Sequence, residues 1–229
     1  MNILITGVSS GLGKALKDEY LNLGHNVYGI SRSKVNDCNH ISCDLENLDG
    51  IESKLCRLLR NVSKLDLVVL NAGMLGEIKT FDKWTIKELN KIMNINVWSN
   101  KIILDWLLSN RKIHQVISIS SGASEHTYKG WSGYSLSKSS LRMMMKVYST
   151  ETEDTHFMSV APGLVDTPMQ DYLCNKVDTK EFTVTKKFIE SKENGVTKPP
   201  KDVAKSIIEL IPSLTKFENG SFIDLRDKK

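Results

Sequence analysis

The chain has 229 residues and a net charge of +4, enough length for one large domain whose core needs no disulfide or metal staples. Its 40% hydrophobic and 25% charged residues exclude disorder and collagen-like repeats, and the scattered basic residues leave no electrostatic footprint for a nucleic acid. No apolar run approaches the ~18 residues of a membrane span, and Ile3-Leu4-Ile5 is too short for a signal-peptide core. The expectation is a cytoplasmic protein with neither nucleic-acid nor membrane partners. Cys38, Cys43, Cys56 and Cys174 form no C-x-x-C pair, and the histidines are dispersed, so no metal site is expected. Reduced, mostly buried thiols are the reading that remains.

In chain order, a strand at Ile3–Thr6 precedes a helix at Leu12–Leu23. Strands at Val27–Ser31 and His40–Cys43 lead to a helix at Leu48–Leu59. A strand at Leu67–Leu70, a long helix at Ile86–Ser109 and a strand at Val116–Ser120 follow. Then come a helix at Gly133–Thr152 and a strand at Phe157–Ala161. An irregular stretch, Pro168–Pro200, reads as a mobile substrate lid with some helix of its own. A helix at Lys201–Ile211 and a strand at Ser221–Leu225 close the chain. The strands are short and apolar on both faces, as parallel strands covered by helices must be. The alternation predicts a single α/β domain over 1–229, a doubly wound parallel sheet of about seven strands. Its ligand crevice should open at the carboxyl ends of the strands.

The turn after the first strand reads Thr6-Gly7-Val8-Ser9-Ser10-Gly11-Leu12-Gly13. Gly7 permits a tight turn, Gly11 lets the backbone approach a pyrophosphate, and Gly13 lets the helix pack closely. The helix N-terminus favours an anion there, and Ser9 and Ser10 add hydroxyl donors. An ordinary βα turn is the alternative. Dinucleotide sites that prefer NAD place a carboxylate about 20 residues after the glycines, on the ribose 2′-hydroxyl. Here Arg32 stands at that place, and a guanidinium suits a 2′-phosphate. NADPH is favoured over NADH, with Asp37 as a dissenting carboxylate in the loop beyond.

Further along stand Asp44-Leu45, Asn71-Ala72-Gly73, Asn96-Val97, Ser120-Ser121, Tyr134-x-x-x-Lys138 and Pro162-Gly163-x-x-x-Thr167. In this order and spacing the chain resembles the short-chain dehydrogenase/reductase family over nearly its whole length. Within the family it is most similar to the sepiapterin reductases and the bacterial benzil-reductase-type carbonyl reductases. The strings Asn71 to Glu77, Lys129-Gly130-Trp131, Ala161 to Gln170 and Asn219 to Leu225 carry that likeness. Leu70 departs from the family, where a second asparagine often precedes Asn-Ala-Gly.

The resemblance implies catalysis by Asn96, Ser121, Tyr134 and Lys138. Tyr134 and Lys138 share one helix face, and a neighbouring ammonium, with an oxidised nicotinamide, should lower the phenol pKa. Tyr134 would then pass a proton to a carbonyl oxygen. Lys138 would hold the nicotinamide ribose, and Ser121, rather than Ser120, would orient the substrate. Asn96 would disturb its helix and anchor a water relayed to Lys138; a buried amide satisfied by backbone is the other reading. Asp44 and Leu45 would meet the adenine, and Asn71, Ala72 and Gly73 the adenosine side. Pro162, Gly163, Val165 and Thr167 would hold the carboxamide. Leu75, Trp131, Gly163, Met169 and Asp224, with Ser121 and Tyr134, are candidate substrate residues. Asp224 could anchor a pterin's N–H edge or meet solvent or a lysine such as Lys228.

Three functional readings are open. One is an NADPH-dependent reductase of a small ketone or diketone, a pterin side chain included. The second is a 3-oxoacyl carrier-protein reductase, for which Lys129, Lys186 and Lys187 are a thin docking patch. The third is a non-enzymatic dinucleotide-sensing protein. A homodimer or homotetramer built on the two long helices is the expected assembly.

Overall fold

The computed structural model describes residues 1–227; Lys228, the lysine suggested for Asp224, lies outside the described residues. Seven strands form one parallel sheet in the order β3-β2-β1-β4-β5-β6-β7. They are β1 (Asn2–Thr6), β2 (Asn26–Ser31), β3 (Asn39–Ser42), β4 (Lys64–Leu70), β5 (Lys112–Ile119), β6 (His156–Ala161) and β7 (Phe222–Asp224). This is the doubly wound α/β architecture that the alternation predicts. The strand order reverses between β1 and β4, and a crevice opens there at the carboxyl ends of the strands.

The helices are α1 (Gly11–Asn22), α2 (Ile51–Leu58), α3 (Ile86–Met93), α4 (Ser99–Asn110), α5 (Ser132–Glu151), α6 (Pro168–Asn175), α7 (Val184–Glu193) and α8 (Pro200–Leu214). One face of the sheet buries Ile3, Ile5, Val69 and Ile117 against Leu12 and Leu16 of α1 and Val203 and Ile207 of α8. The other buries Leu4, Val68 and Val116 against Leu55 of α2, Ile103 and Leu107 of α4 and Met145 of α5. Both faces of every central strand are therefore dry, which is why their sequences run apolar instead of alternating.

Several expectations change at the ends of elements. Strand β5 begins at Lys112, before the expected Val116, because Lys112 pairs with Lys64 and Gln115 with Leu67 in the β4 ladder. Backbone pairing extends the strand through residues whose side chains gave no strand signal. Pro212 lies inside α8, where a break was expected. The stretch 168–200 is largely helical: α6 and α7 fold back so that Leu173, Phe182 and Phe188 pack with Trp131 and Tyr134. A parallel bridge between Val165 and Lys198 ties the end of this segment to its beginning. Of the four free cysteines only Cys43 is buried, and Cys56 is exposed. Among the described residues, no helix is long and apolar enough to cross a membrane.

Candidate active site

A crevice of about 620 Å³ runs along the carboxyl edge of the sheet. Its adenosine-side wall starts at the glycine turn. Gly7 has φ +79°, a conformation that L side chains avoid. Its N–H donates to the Ile30 carbonyl at 2.7 Å, which fixes the turn between β1 and β2. A Cβ on Gly13 would lie 2.2 Å from the Gly7 oxygen and 2.3 Å from Asn71 Nδ2. Only glycine lets α1 begin this close to the loop. Ser10 caps α1 without any side-chain hydrogen bond, so the first N–H groups of the helix remain for an anion. Such a turn fits a pyrophosphate.

Asn71 braces this wall. Its Nδ2 donates to the Thr6 carbonyl at 2.9 Å, and its backbone N–H donates to Thr6 Oγ1 at 3.0 Å. Thr6, which the sequence reading passed over, thus ties the ends of β1 and β4. Arg32, Asp44, Leu45, Ala72 and Gly73 also line the crevice. Asp37 does not: its carboxylate is hydrogen-bonded to the buried Lys17 ammonium. The dissenting carboxylate is therefore committed elsewhere, and Arg32 is the charged group at the end of β2 that faces the crevice.

At the other end, Ser121, Trp131, Tyr134, Lys138, Pro162, Gly163, Val165, Thr167 and Met169 all line the same space. The expected single helix over 86–109 is interrupted by a π-helical turn at Asn94–Trp98, between α3 and α4. Asn96 sits in that turn, fully buried. Its Oδ1 accepts from the Met74 N–H at 2.8 Å, and its Nδ2 donates to the Met74 carbonyl at 2.9 Å and to Ser137 Oγ at 2.8 Å. Helix disturbance and backbone satisfaction occur together here. Ser137 in turn donates to the Tyr134 carbonyl at 2.8 Å, so the amide reaches α5 through a hydroxyl that sequence reasoning missed. The signal was partial: Ser135 and Ser137 are both small polar residues between Tyr134 and Lys138, and only the fold turns Ser137 toward Asn96.

Burial dominates the electrostatics of the protein groups themselves. Burial raises the Tyr134 phenol to about 12, although contact with the Ser121 hydroxyl pulls it the other way. Burial lowers the Lys138 ammonium to about 8. Desolvation of the charged form is the leading cause of both shifts. Lys138 Nζ donates to the Ile119 carbonyl at 2.7 Å. Ser121 Oγ accepts from the Ala123 N–H at 3.1 Å, while Ser120 Oγ turns to Ser124.

Two substrate candidates lie elsewhere. Leu75 is buried in the apolar cluster beneath Trp131 and does not line the crevice. Asp224 is buried at the end of β7, and both its oxygens are taken by Arg226. The pterin anchor is corrected accordingly, since that carboxylate has a partner within the chain. Burial alone would raise the Asp224 carboxyl, but the Arg226 hydrogen bonds overcome it and hold the group below its usual range. The residue that does face the crevice is Arg226.

The family model for short chain dehydrogenases matches residues 1–178. The chain belongs to the short-chain dehydrogenase family. It is an oxidoreductase of that family, whose members use nicotinamide dinucleotides. It is 31% identical to the benzil reductase ((S)-benzoin forming) of Bacillus subtilis, over 98% of each chain. It is 26% identical to the sepiapterin reductase of Xenopus laevis, over 93% of this chain and 82% of that one. A crystal structure of a short chain dehydrogenase/reductase from Saccharomyces cerevisiae superposes with a TM-score of 0.88 at 24% identity. It covers 99% of this chain and 96% of the other, a likeness that speaks for the fold.

Proposed function

We propose that this short-chain dehydrogenase is an NADPH-dependent carbonyl reductase of small ketones and diketones, with the Tyr134 hydroxyl as proton donor. The observation that carries the reading is a buried phenol, held protonated at neutral pH, on the wall of a crevice beside Ser121 and Lys138. A carbonyl oxygen gaining negative charge needs such a donor. The name of the Bacillus subtilis relative supports a diketone, and Trp131, Met169 and Leu173 make that end of the crevice apolar enough to take one.

The dinucleotide supplies the hydride when bound. The glycine turn would hold its pyrophosphate, and Arg32 the 2′-phosphate that marks NADPH. Asp44 and Leu45 would meet its adenine, with Asn71, Ala72 and Gly73 along the adenosine. Pro162, Gly163, Val165 and Thr167 would orient the carboxamide.

Ser121 Oγ accepts from the Ala123 N–H and its hydroxyl lies beside the Tyr134 phenol, so its O–H is placed to donate to an oxygen that Tyr134 also meets. Tyr134 delivers its proton to that oxygen. Lys138 stabilises the phenolate left behind and holds the ribose. Asn96 positions the start of α5 through Ser137 and anchors the water that resupplies the proton.

Trp98, Leu136, Met143 and Val147 are exposed apolar residues of the two long helical stretches, and we read that face as the contact of a homodimer or homotetramer. Four free thiols suit a reducing cytoplasm.

The test is a panel of diketones, monoketones, pterins and acyl thioesters, with NADPH and with NADH. Reduction of diketones with NADPH is expected. Turnover confined to acyl thioesters, or none at all with any substrate, would remove the reading.

A further inference from the structure

Arg226 follows β7 by two residues, in the 3-10 turn Leu225–Asp227. It lies across the two loops that carry the chemistry. A Cβ on Gly122, next to Ser121, would be 3.2 Å from Arg226 Nη2. One on Gly163, next to Pro162, would be 3.3 Å from its Cγ. The side chain is clamped. Its Nε donates to Asp224 Oδ1 at 2.9 Å, its Nη2 to Oδ2 at 2.6 Å, and its backbone N–H to Oδ1 at 2.9 Å. The buried carboxylate therefore fixes the guanidinium plane from below. Nη1 has no protein acceptor among the described residues, and the side chain remains 58% exposed at the crevice mouth.

We propose that Arg226 is a specificity-determining residue, reading a second oxygen acceptor adjacent to the reacting carbonyl. The proposal rests on the carbonyl-reductase reading above. A vicinal diketone has its two carbonyl carbons joined by one bond, so its oxygens lie three bonds apart. With the first on Ser121 and Tyr134, the second would meet the loop edge at Gly122 and Gly163 that Arg226 covers. A fork held by a rigid partner loses little entropy on accepting such a bond. The Asp224 carboxylate also cancels the guanidinium charge, so the pair presents oriented N–H donors with little net field. That favours a neutral acceptor, the second carbonyl of a diketone, over the carboxylate of a 2-oxo acid. Asp224 is then a positioning residue, acting through Arg226.

The experiment compares benzil, its monoketone counterpart deoxybenzoin, and benzoylformate. Steady-state kinetics are paired with equilibrium binding to the protein loaded with oxidised cofactor, read by tryptophan quenching. In Arg226→Met the benzil-to-deoxybenzoin ratio of kcat/KM should fall about tenfold or more, through KM, with the same fall in the binding ratio. Asp224→Asn should lower that ratio less and raise benzoylformate relative to benzil, because the guanidinium charge is no longer balanced. An unchanged benzil-to-deoxybenzoin ratio in Arg226→Met overturns the proposal while leaving the reductase reading intact. So does wild-type preference for benzoylformate over benzil. Absence of any carbonyl reduction by the wild type overturns the reductase reading instead, and the binding ratios then decide Arg226 alone.

Discussion

The Lys138 ammonium lies 5.7 Å from the centre of the Tyr134 ring, one turn along α5, and burial opposes the charge on each. The pair starts with its proton on the phenol, where a reductase requires it. Tyr134→Phe keeps the ring and its edge contact with Trp131 but removes the donor. Turnover should fall on the order of 10²–10⁴-fold, with NADPH still bound. Near-normal turnover in stopped or continuous assays would sink the assignment.

The Lys138 environment makes a prediction about stability. Its folded pKa, about 8, lies below the ordinary 10.5. Between those values the unfolded chain carries a proton that the folded chain lacks, so stability rises with pH across that window. Below pH 8 both states are protonated, and the buried ammonium carries its full penalty. Lys138→Met should therefore stabilise the inactive protein at pH 7 by roughly 1–2 kcal/mol, after allowing for the donor lost by the Ile119 carbonyl. The advantage should shrink as pH rises from 8 toward 10. Urea midpoints for both proteins at several pH values check it; an advantage that grows with pH would show the wrong cause.

The π-helical turn shows how far sequence reasoning reached. An amide at Asn96 competes with helix hydrogen bonding, so a local disturbance was legible. Its form, with the side chain spanning the Met74 backbone, was not, because Met74 is brought there by the end of β4. Asp224 shows the opposite case. A carboxylate at the end of the last strand was open to two readings, a ligand or a residue meeting solvent or a lysine, and Arg226, only two residues on, closes upon it. Such short-range pairing depends on the turn after β7, which no periodicity announces. The burial of Tyr134 was not legible for a related reason. Residue spacing placed the ammonium correctly, while the apolar cluster that buries the phenol includes Leu173 of α6 and Phe188 of α7. Some helix was expected in that stretch, but not where it packs.

Gly13 tests the cradle. In most helix interiors Gly→Ala gains stability. Here the new Cβ would meet the Gly7 carbonyl and the Asn71 amide at 2.2 and 2.3 Å, and neither is a flexible chain end. Gly13→Ala should destabilise by about 1–3 kcal/mol and weaken dinucleotide binding, both by displacing the turn. Calorimetry with and without NADPH measures the two effects. A variant as stable as the parent, with unaltered affinity, would mean that the turn yields freely.

On the proposed reading, cofactor choice would turn on Arg32. Its main chain is held by Ser42, whose hydroxyl donates to the Arg32 carbonyl at 2.7 Å, so the guanidinium leaves a fixed point at the end of β2. The carboxylate that could have favoured NADH, Asp37, is tied to Lys17, itself buried and bound to Asp18 at 2.8 Å. Releasing Asp37 would strand a buried ammonium with one partner, a cost that binding NADH would not recover. Arg32→Asp replaces a phosphate clamp with a like charge and offers the ribose 2′-hydroxyl an acceptor. The NADPH-to-NADH affinity ratio should fall by about ten- to a hundred-fold, with most of the change in NADPH. Arg32→Ala should lose NADPH affinity without gaining NADH, because it removes the clamp and supplies no acceptor. Paired titrations of the three proteins separate the two effects. If both variants keep the parent's ratio, the 2′-phosphate is read by another group.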